Sequence, residues 1–188
     1  MARVFSVFRE VDSPYAVPEN QARLIAHSAG VILQRRVGLI SMAAVRPVRI
    51  EHQINPYDLT QEPLPDATAH SIIFSQRLHP DDDDPTVGNR YGEVALSILG
   101  GAIVASQCAI SLAPDDTPNR IAVARTVHQL THTFGVVHCA EDACIMQPCT
   151  QVSNARLETI ISAEDPYCIE HHVQLGLIAT RAALQDYR

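Results

Sequence analysis

The residues of this chain most suited to chemistry are three closely spaced histidines, His128, His132 and His138. His128 and His132 are four residues apart, so on a helix both imidazoles project from the same face. Gly135 can adopt the left-handed conformation that ends a helix, which lets the chain turn and bring His138 back toward the other two. Three neutral imidazoles around an ion with an open fourth position form a catalytic-type zinc site. The spacing therefore predicts such a site here.

The residue after the first histidine decides whether this site can catalyse hydrolysis. In the zinc-peptidase pattern HExxH it is a glutamate that acts as the general base. In this chain it is Gln129, whose amide can hydrogen-bond a water molecule but cannot accept its proton. General base catalysis contributes about 10²–10⁴-fold to a rate, so we expect zinc binding with weak or absent hydrolysis.

The pattern continues past the third histidine as HxxGxxHCxxxxCxM, in which Cys139, Cys144 and Met146 follow the histidines. The motif HExxHxxGxxH followed by a methionine turn belongs to the metzincin metallopeptidases. The arrangement in this chain resembles the archaemetzincins, a metzincin subfamily, over about residues 117–172. The resemblance implies a catalytic zinc on the three histidines, Met146 in the turn beneath it, and hydrolysis of peptide bonds by zinc-activated water.

The same resemblance implies a second, structural zinc that four cysteines hold. This chain supplies three cysteines and one histidine for that site, Cys139, Cys144, Cys168 and His171. A histidine replaces a cysteine readily at structural zinc, so a Cys₃His site is chemically sound. Two alternatives stay open, because Cys149 could replace Cys168 and His172 could replace His171. The expected cofactor content is two Zn²⁺ per chain.

The composition is that of a folded globular protein. The chain has 188 residues, of which 46% are hydrophobic and 19% charged, enough for one domain with a sizeable core. Its net charge is −7 and it has no basic cluster beyond Arg35 and Arg36, so we do not expect nucleic-acid binding. No apolar stretch approaches the about 20 residues of a membrane helix. The partner that the resemblance implies is a peptide or protein substrate.

The five cysteines favour metal ligation over disulfide bonds. A secreted disulfide framework usually has an even number of cysteines and a signal peptide, and we recognise neither in this sequence. Metal ligation fits a reducing compartment, and we expect the cytoplasm. Cys108 lies in an apolar run and is expected to be a small buried hydrophobe. Residues 81–84 are four aspartates, which we interpret as a solvated loop rather than a calcium site.

Helix and strand patterns alternate along the chain, which predicts an α/β (α+β) fold with helices on a mixed twisted sheet. Residues 18–36 have the periodicity of an amphipathic helix that Gly38 ends. Residues 39–50 are strand-like, and residues 67–78 are interpreted as a helix. Residues 91–112 divide at two glycines into two strands, either a hairpin or neighbours in the sheet.

The metal-binding helix has its own boundary signals. Residues 115–118, DDTP, place acidic side chains, a capping threonine and a proline at its start, and Gly135 ends it. By resemblance, an edge strand at residues 102–112 binds an extended peptide by strand addition. Residues 149–165 are expected to be a loop. Residues 173–187 indicate a C-terminal helix that the structural zinc anchors.

These patterns predict one metallopeptidase-like domain with a metzincin-like zincin fold. Its upper lobe spans about residues 1–135, and a small lower lobe, held by the structural zinc, spans about residues 136–188. The expected function is that of a zinc-binding, archaemetzincin-type metallopeptidase whose activity Gln129 impairs. The first alternative is a catalytically silent module that binds peptides in a zinc-dependent way. The second is a structural zinc domain in which the cysteine site alone is occupied.

Overall fold

The elements of the chain follow an α/β order. A computed structural model describes residues 3–38, 40–50, 64, 70–76, 94–99, 105–112, 120–148 and 152–185. Within these ranges the strands and helices are β1 Arg3–Glu10, α1 Glu19–Val37, β2 Ile40–Val48, β3 His70–Ser75, β4 Val94–Leu99, β5 Ala105–Ser111, α2 Arg120–His132, α3 Asn154–Ser162 and α4 Ile169–Gln185. The mixed α/β class predicted from the sequence is confirmed.

The strands form one sheet in the order β2-β1-β3-β5-β4. β1 pairs in parallel with both β2 and β3, and β3 pairs in parallel with β5. β4 joins the outer side of β5 in antiparallel orientation. The crossover from β1 through α1 to β2 is the connection that parallel neighbours require. The two strands predicted within residues 91–112 are therefore confirmed as an antiparallel pair.

The edge of the sheet lies elsewhere than predicted. Residues 102–112 were expected to form the edge strand, but β5 lies between β3 and β4. Because one side of β5 is already paired with β3, the preceding strand β4 takes its other side and becomes the edge among the described strands. The edge-strand assignment to residues 102–112 is thus wrong, and Val94–Leu99 takes that position.

A second correction concerns residues 67–78, which were interpreted as a helix. Residues His70–Ser75 form β3, and every residue of this strand is buried. A strand that is covered on both faces carries a continuous apolar run instead of an alternating one, so its period gives no strand signal. Such a run is easily mistaken for part of a helix.

Helix α1 covers one face of the sheet. Its C-terminal end is the predicted one, since Gly38 has a φ of 72° and its N–H donates to the carbonyl oxygen of Gln34 at 2.9 Å. α1 contacts β2, α2 and α4. The main hydrophobic core lies here, with Phe5 and Val7 of β1 facing the helices, while Phe8 and Ile73 form a smaller cluster on the other face.

The C-terminal part of the chain is more helical than predicted. Asn154–Ser162 forms α3 inside the segment expected to be a loop, and the side chain of Ser153 caps it by accepting from the N–H of Arg156. α4 begins at Ile169 rather than at residue 173. Among the helices that the structure describes, none combines the length and apolarity needed to cross a membrane. The division into two lobes near residue 135 stays a prediction.

The central strand gives a test of the core. Ile72 of β3 is fully buried, so Ile72→Ala should lower the free energy of unfolding by about 2–5 kcal/mol, and Ile72→Val by about 0.5–1.5 kcal/mol. Urea denaturation at a fixed zinc concentration measures both. Leu24→Ala, at a leucine 43% exposed on α1, is the control and should change stability far less. Equal urea midpoints for the two alanine variants would contradict this placement of β3.

Candidate metal centre

The three histidines come from one helix and from the segment that follows it. His128 and His132 lie one turn apart on α2, and His128 is buried. After the helix, the N–H of Gly135 donates to the carbonyl oxygen of His132 at 2.9 Å, and Gly135 has a φ of 81°. This left-handed turn reverses the chain, as predicted, and returns His138 to the helix end.

The imidazole Nε2 atoms of the three histidines converge on one point. Each of the three Nε2–Nε2 distances between His128, His132 and His138 is 3.1 Å. Nitrogen ligands bonded to one tetrahedral zinc ion at about 2.0–2.1 Å lie about 3.3 Å apart. The triangle of nitrogens therefore fits a single zinc ion and leaves one side of the ion open.

Backbone carbonyl groups fix the protonation of two of these rings. Nδ1–H of His128 donates to the carbonyl oxygen of Ile145 at 2.7 Å, and Nδ1–H of His132 donates to that of Val136 at 2.8 Å. A carbonyl can only accept, so in the neutral rings Nε2 carries a lone pair and no proton. Two lone pairs 3.1 Å apart repel each other unless a cation lies between them. This donor set therefore calls for a metal ion.

Burial keeps these ligands neutral. Desolvation lowers the pKa of His128 to about 3, against the raising effect of its hydrogen bond to Ile145. Desolvation also lowers the pKa of His132. Both imidazoles are thus unprotonated at neutral pH, which is the form that binds a metal.

Gln129 lies between the two helical ligands in sequence. Its side chain is half-buried and makes no hydrogen bond to the residues that the structure describes. Across the same residues, no aspartate or glutamate joins the cluster of three histidines. The site thus offers metal ligands without the carboxylate that a general base requires.

A second cluster lies next to the first in the chain. Its members are Cys139, Cys144, Cys168 and His171, whose ligand atoms all lie within 4.8 Å of one another. Cys144 Sγ is 3.2 Å from Nδ1 of His171, and both residues are buried. The N–H of Met146 donates to Cys144 Sγ at 3.4 Å, which favours the thiolate form that binds metal. Three thiols and one imidazole suit a closed tetrahedral zinc site.

The two alternative ligands are placed differently. Nδ1 of His172 lies 2.5 Å from the carboxylate of Asp165 and 3.2 Å from the guanidinium of Arg36, outside the cluster. Cys149 lies outside the described residues.

Cys108 is fully buried on β5, in agreement with its prediction as a small core residue. The aspartates at residues 81–84 and the helix-start signals at residues 115–118 also lie outside the described residues.

The two clusters share a backbone segment. His138 and Cys139 are consecutive, and the N–H of Cys139 donates to the carbonyl oxygen of Met146 at 3.2 Å. Ile145 accepts from His128 through its carbonyl and donates through its N–H to Pro166 at 2.7 Å. Met146 is fully buried directly after Ile145. A change at one cluster therefore reaches the other through residues 144–146.

Two residues that position the metal-binding helix, Tyr167 and Arg3, were not predicted from the sequence. Tyr167 is buried, and because the hydroxyl of Thr131 already donates to Val127, the Tyr167 hydroxyl donates to Thr131 at 2.7 Å. This bond ties α2 to the segment before Cys168. The position of Tyr167 beside a predicted ligand was the one available signal for it.

Arg3, at the start of β1, holds the end of the metal-binding helix. Its guanidinium donates to the carbonyl oxygen of Thr133 at 2.5 Å and lies 4.5 Å from the ring centre of Phe134. These residues are 130 positions apart. No local sequence pattern could have linked them.

The fold is that of an archaemetzincin. Archaemetzincin from Methanopyrus kandleri superimposes with a TM-score of 0.60 and 16% identity, over 95% of this chain and 96% of that one. A zinc-dependent peptidase from Methanocorpusculum labreanum (strain Z) has a TM-score of 0.49 and 15% identity, over 91% of this chain and 99% of that one. No family model and no curated protein matches the sequence. The predicted resemblance is confirmed at the level of the fold.

Removal of a ligand from the cysteine cluster should destabilise the fold. Cys144→Ser should release one zinc and lower the free energy of unfolding by several kcal/mol, since binding at structural zinc, worth about 10–16 kcal/mol in small zinc domains, is coupled to folding. Metal analysis and urea denaturation test this. Cys108→Ala is the matched control, because it removes a cysteine outside both clusters and should keep the metal content. Unchanged zinc content in Cys144→Ser would refute the cluster.

Removal of a ligand from the histidine cluster should have a milder structural effect. His132→Ala should release the other zinc and leave most of the unfolding free energy, because His132 is only half-buried at the helix end. Metal analysis of the purified variant gives the stoichiometry. His172→Ala, which removes a histidine beside but outside the cysteine cluster, should retain both ions. A His132→Ala variant with undiminished zinc would contradict the site.

Proposed function

We propose that this chain is a zinc-binding metallopeptidase-like protein of the archaemetzincin type, with one catalytic-type and one structural zinc and with low hydrolytic activity. The convergence of three Nε2 atoms at 3.1 Å carries the proposal. The archaemetzincin-like fold supports it. The ligands of the first zinc are His128, His132 and His138, and those of the second are the members of the cysteine cluster.

Zinc at the three histidines would supply a Lewis acid that polarises a peptide carbonyl and lowers the pKa of water. The chain contributes the orientation of the ligands. The carbonyl groups of Ile145 and Val136 hold the rings of His128 and His132 with their Nε2 lone pairs toward the ion. His138 is exposed and supplies the third nitrogen, so the site borders solvent at this ligand.

The low activity follows from Gln129. Its amide can orient a water molecule by a hydrogen bond but cannot take up the proton that hydrolysis releases. Glu141 is a poor substitute, because it lies in the turn between Cys139 and Cys144, where its carbonyl oxygen accepts from the N–H of Cys144 at 3.1 Å. Its side chain is exposed.

The substrate we propose is an extended peptide. β4 has β5 on one side and no strand on the other among the described residues, and α2 contacts both strands. A peptide could therefore add to the sheet at β4 through backbone hydrogen bonds, which give affinity with little sequence preference. Neither nucleic acid nor a membrane is part of this proposal, since the net charge is −7. The three cysteine ligands must be reduced to bind zinc, which supports a cytoplasmic location.

Gln129 in place of a glutamate, with no carboxylate beside the three histidines among the described residues, also favours a second function, a silent module that binds peptides at the zinc without cleaving them. The two differ in what a carboxylate at position 129 would do. If the protein is a peptidase that lacks only its general base, a glutamate at position 129 should restore hydrolysis. If it is a binding module, the same substitution should produce no hydrolysis.

The test is peptide hydrolysis by purified wild type and Gln129→Glu, each with a measured zinc content. We expect the glutamate variant to be faster by about 10²–10⁴-fold, the usual contribution of a general base. Gln129→Asn is the matched control, since it keeps an amide and should stay slow. Wild type as fast as Gln129→Glu would refute our account of residue 129. Saturable peptide binding without cleavage by either protein would establish the binding module. A content of one zinc per chain, bound in the cysteine cluster, would establish the structural zinc domain.

A further inference from the structure

The C-terminal helix α4 has an apolar surface on each of two opposite sides. One side faces the core, where His171 and Leu175 are buried. The other is exposed and carries four large apolar side chains, Ile169, Val173, Leu177 and Leu184, with exposed fractions of 79, 52, 56 and 62%. At 3.6 residues per turn these four lie within an arc of about 80°, so they form one continuous stripe, the α4 stripe. A stripe of this kind on a single helix indicates a docking surface.

A glycine borders the α4 stripe midway along its length. Gly176 is exposed, and a Cβ at this position would meet no atom within 4 Å, so the fold of this chain does not require a glycine there. A glycine inside a helix makes the helix less stable than an alanine would. What it permits is the close approach of another group to the helix backbone. Thr180, one turn later, donates its hydroxyl to the carbonyl oxygen of Gly176 at 2.9 Å and leaves its methyl group for packing.

The charges beside the α4 stripe select an orientation. Glu170 and Arg181 are both exposed and lie on the same flank of the stripe, one near each end of the helix. In a parallel pair about a two-fold axis each flank faces the opposite flank of the partner, so Glu170 and Arg181 would face the flank of Gly176 and find no opposite charge. In an antiparallel pair about a two-fold axis the same flanks face each other, so each Glu170 meets the Arg181 of the partner subunit.

We propose that two copies of this chain associate through antiparallel pairing of α4, with the two-fold axis between Gly176 and Leu177. In this register each Leu177 meets Leu177 of the partner subunit on one flank, and each Gly176 faces Gly176 of the partner subunit on the other. Ile169 lies opposite Leu184 of the partner subunit, and Val173 lies opposite Thr180 of the partner subunit. The surface is thus complementary to itself in shape, polarity and charge.

The contact is small. α4 has 17 residues and is about 25 Å long, and a single pair of such helices covers less than the about 800 Å² per partner of a standard stable interface. The dimer is therefore reversible and forms with rising protein concentration. A membrane surface is a poorer occupant, because helices that bind membranes are rich in Lys and Arg, and Arg181 is the one basic residue of α4 apart from its two histidines.

Sedimentation equilibrium of the zinc-loaded full chain over a range of concentrations tests this inference. The mass should rise from 20.6 kDa toward twice that value. Leu177→Glu should leave a monomer at every concentration, because it brings two carboxylates together near the axis. Leu24→Glu, at an exposed leucine of α1, is the matched control and should still dimerise.

The charge pair tests the orientation. Glu170→Arg should raise the dissociation constant at least about tenfold, since it faces Arg181 of the partner subunit. The double variant Glu170→Arg with Arg181→Glu should restore the wild-type constant. Circular dichroism and zinc content establish that each variant is folded. If Leu177→Glu is not folded, Thr180→Glu replaces it and should also give a monomer.

Three results would overturn the proposal. They are a monomer at all concentrations, a dimer that Leu177→Glu and Thr180→Glu leave intact, and a double charge variant no better than the single one. Binding of wild type to anionic vesicles without self-association would assign the α4 stripe to a membrane instead. None of these outcomes depends on peptidase activity.

Discussion

Two hydrogen bonds from imidazole to backbone determine what this protein can bind. The carbonyl groups of Ile145 and Val136 take the Nδ1 protons of His128 and His132, and so direct their Nε2 lone pairs at each other. Both rings are buried enough that protonation does not relieve the repulsion at neutral pH, as the lowered pKa values of both indicate. A divalent cation does relieve it. Metal binding is thus built into the backbone path around the site.

That backbone path depends in turn on the cysteine cluster. Ile145 follows Cys144, and Met146 both donates to the Cys144 sulfur and accepts from Cys139. The segment has no regular secondary structure to hold it, so it depends on the bond from Ile145 to Pro166 and, in the proposed function, on ligation of its cysteines. In apolar surroundings the Cys144 thiol has a pKa raised to about 12 by burial, and a metal ion must displace its proton. A zinc ion bound at the cysteine cluster, as proposed, would therefore also orient the ligands of the histidine cluster.

The sequence was most informative where function rests on local spacing. The histidine cluster and the left-handed turn at Gly135 follow from offsets of a few residues on a helix and a turn, whereas the cysteine cluster, which extends from Cys139 to His171, was predicted from the family resemblance. The errors arose where structure depends on distant pairing. The pattern at β3 predicts a helix because a strand buried on both faces shows no alternation of polar and apolar residues. The predicted edge at residues 102–112 is wrong because strand order is set by pairing partners far along the chain, which no local pattern shows. The contact of Arg3 with Thr133 has the same character.

The proposed metal binding and the proposed hydrolysis depend on different groups of this site. The ligand geometry rests on His128, His132 and His138 and on carbonyl groups of the backbone, whereas the side chain of Gln129 forms no hydrogen bond to the described residues. Glutamine and glutamate have nearly the same shape, so either fits the half-buried position without moving a ligand. The exchange changes the group available for proton transfer and leaves the ligand geometry as it is. A site of the proposed kind can therefore lose or regain a general base through one side chain while the metal ligands stay unchanged.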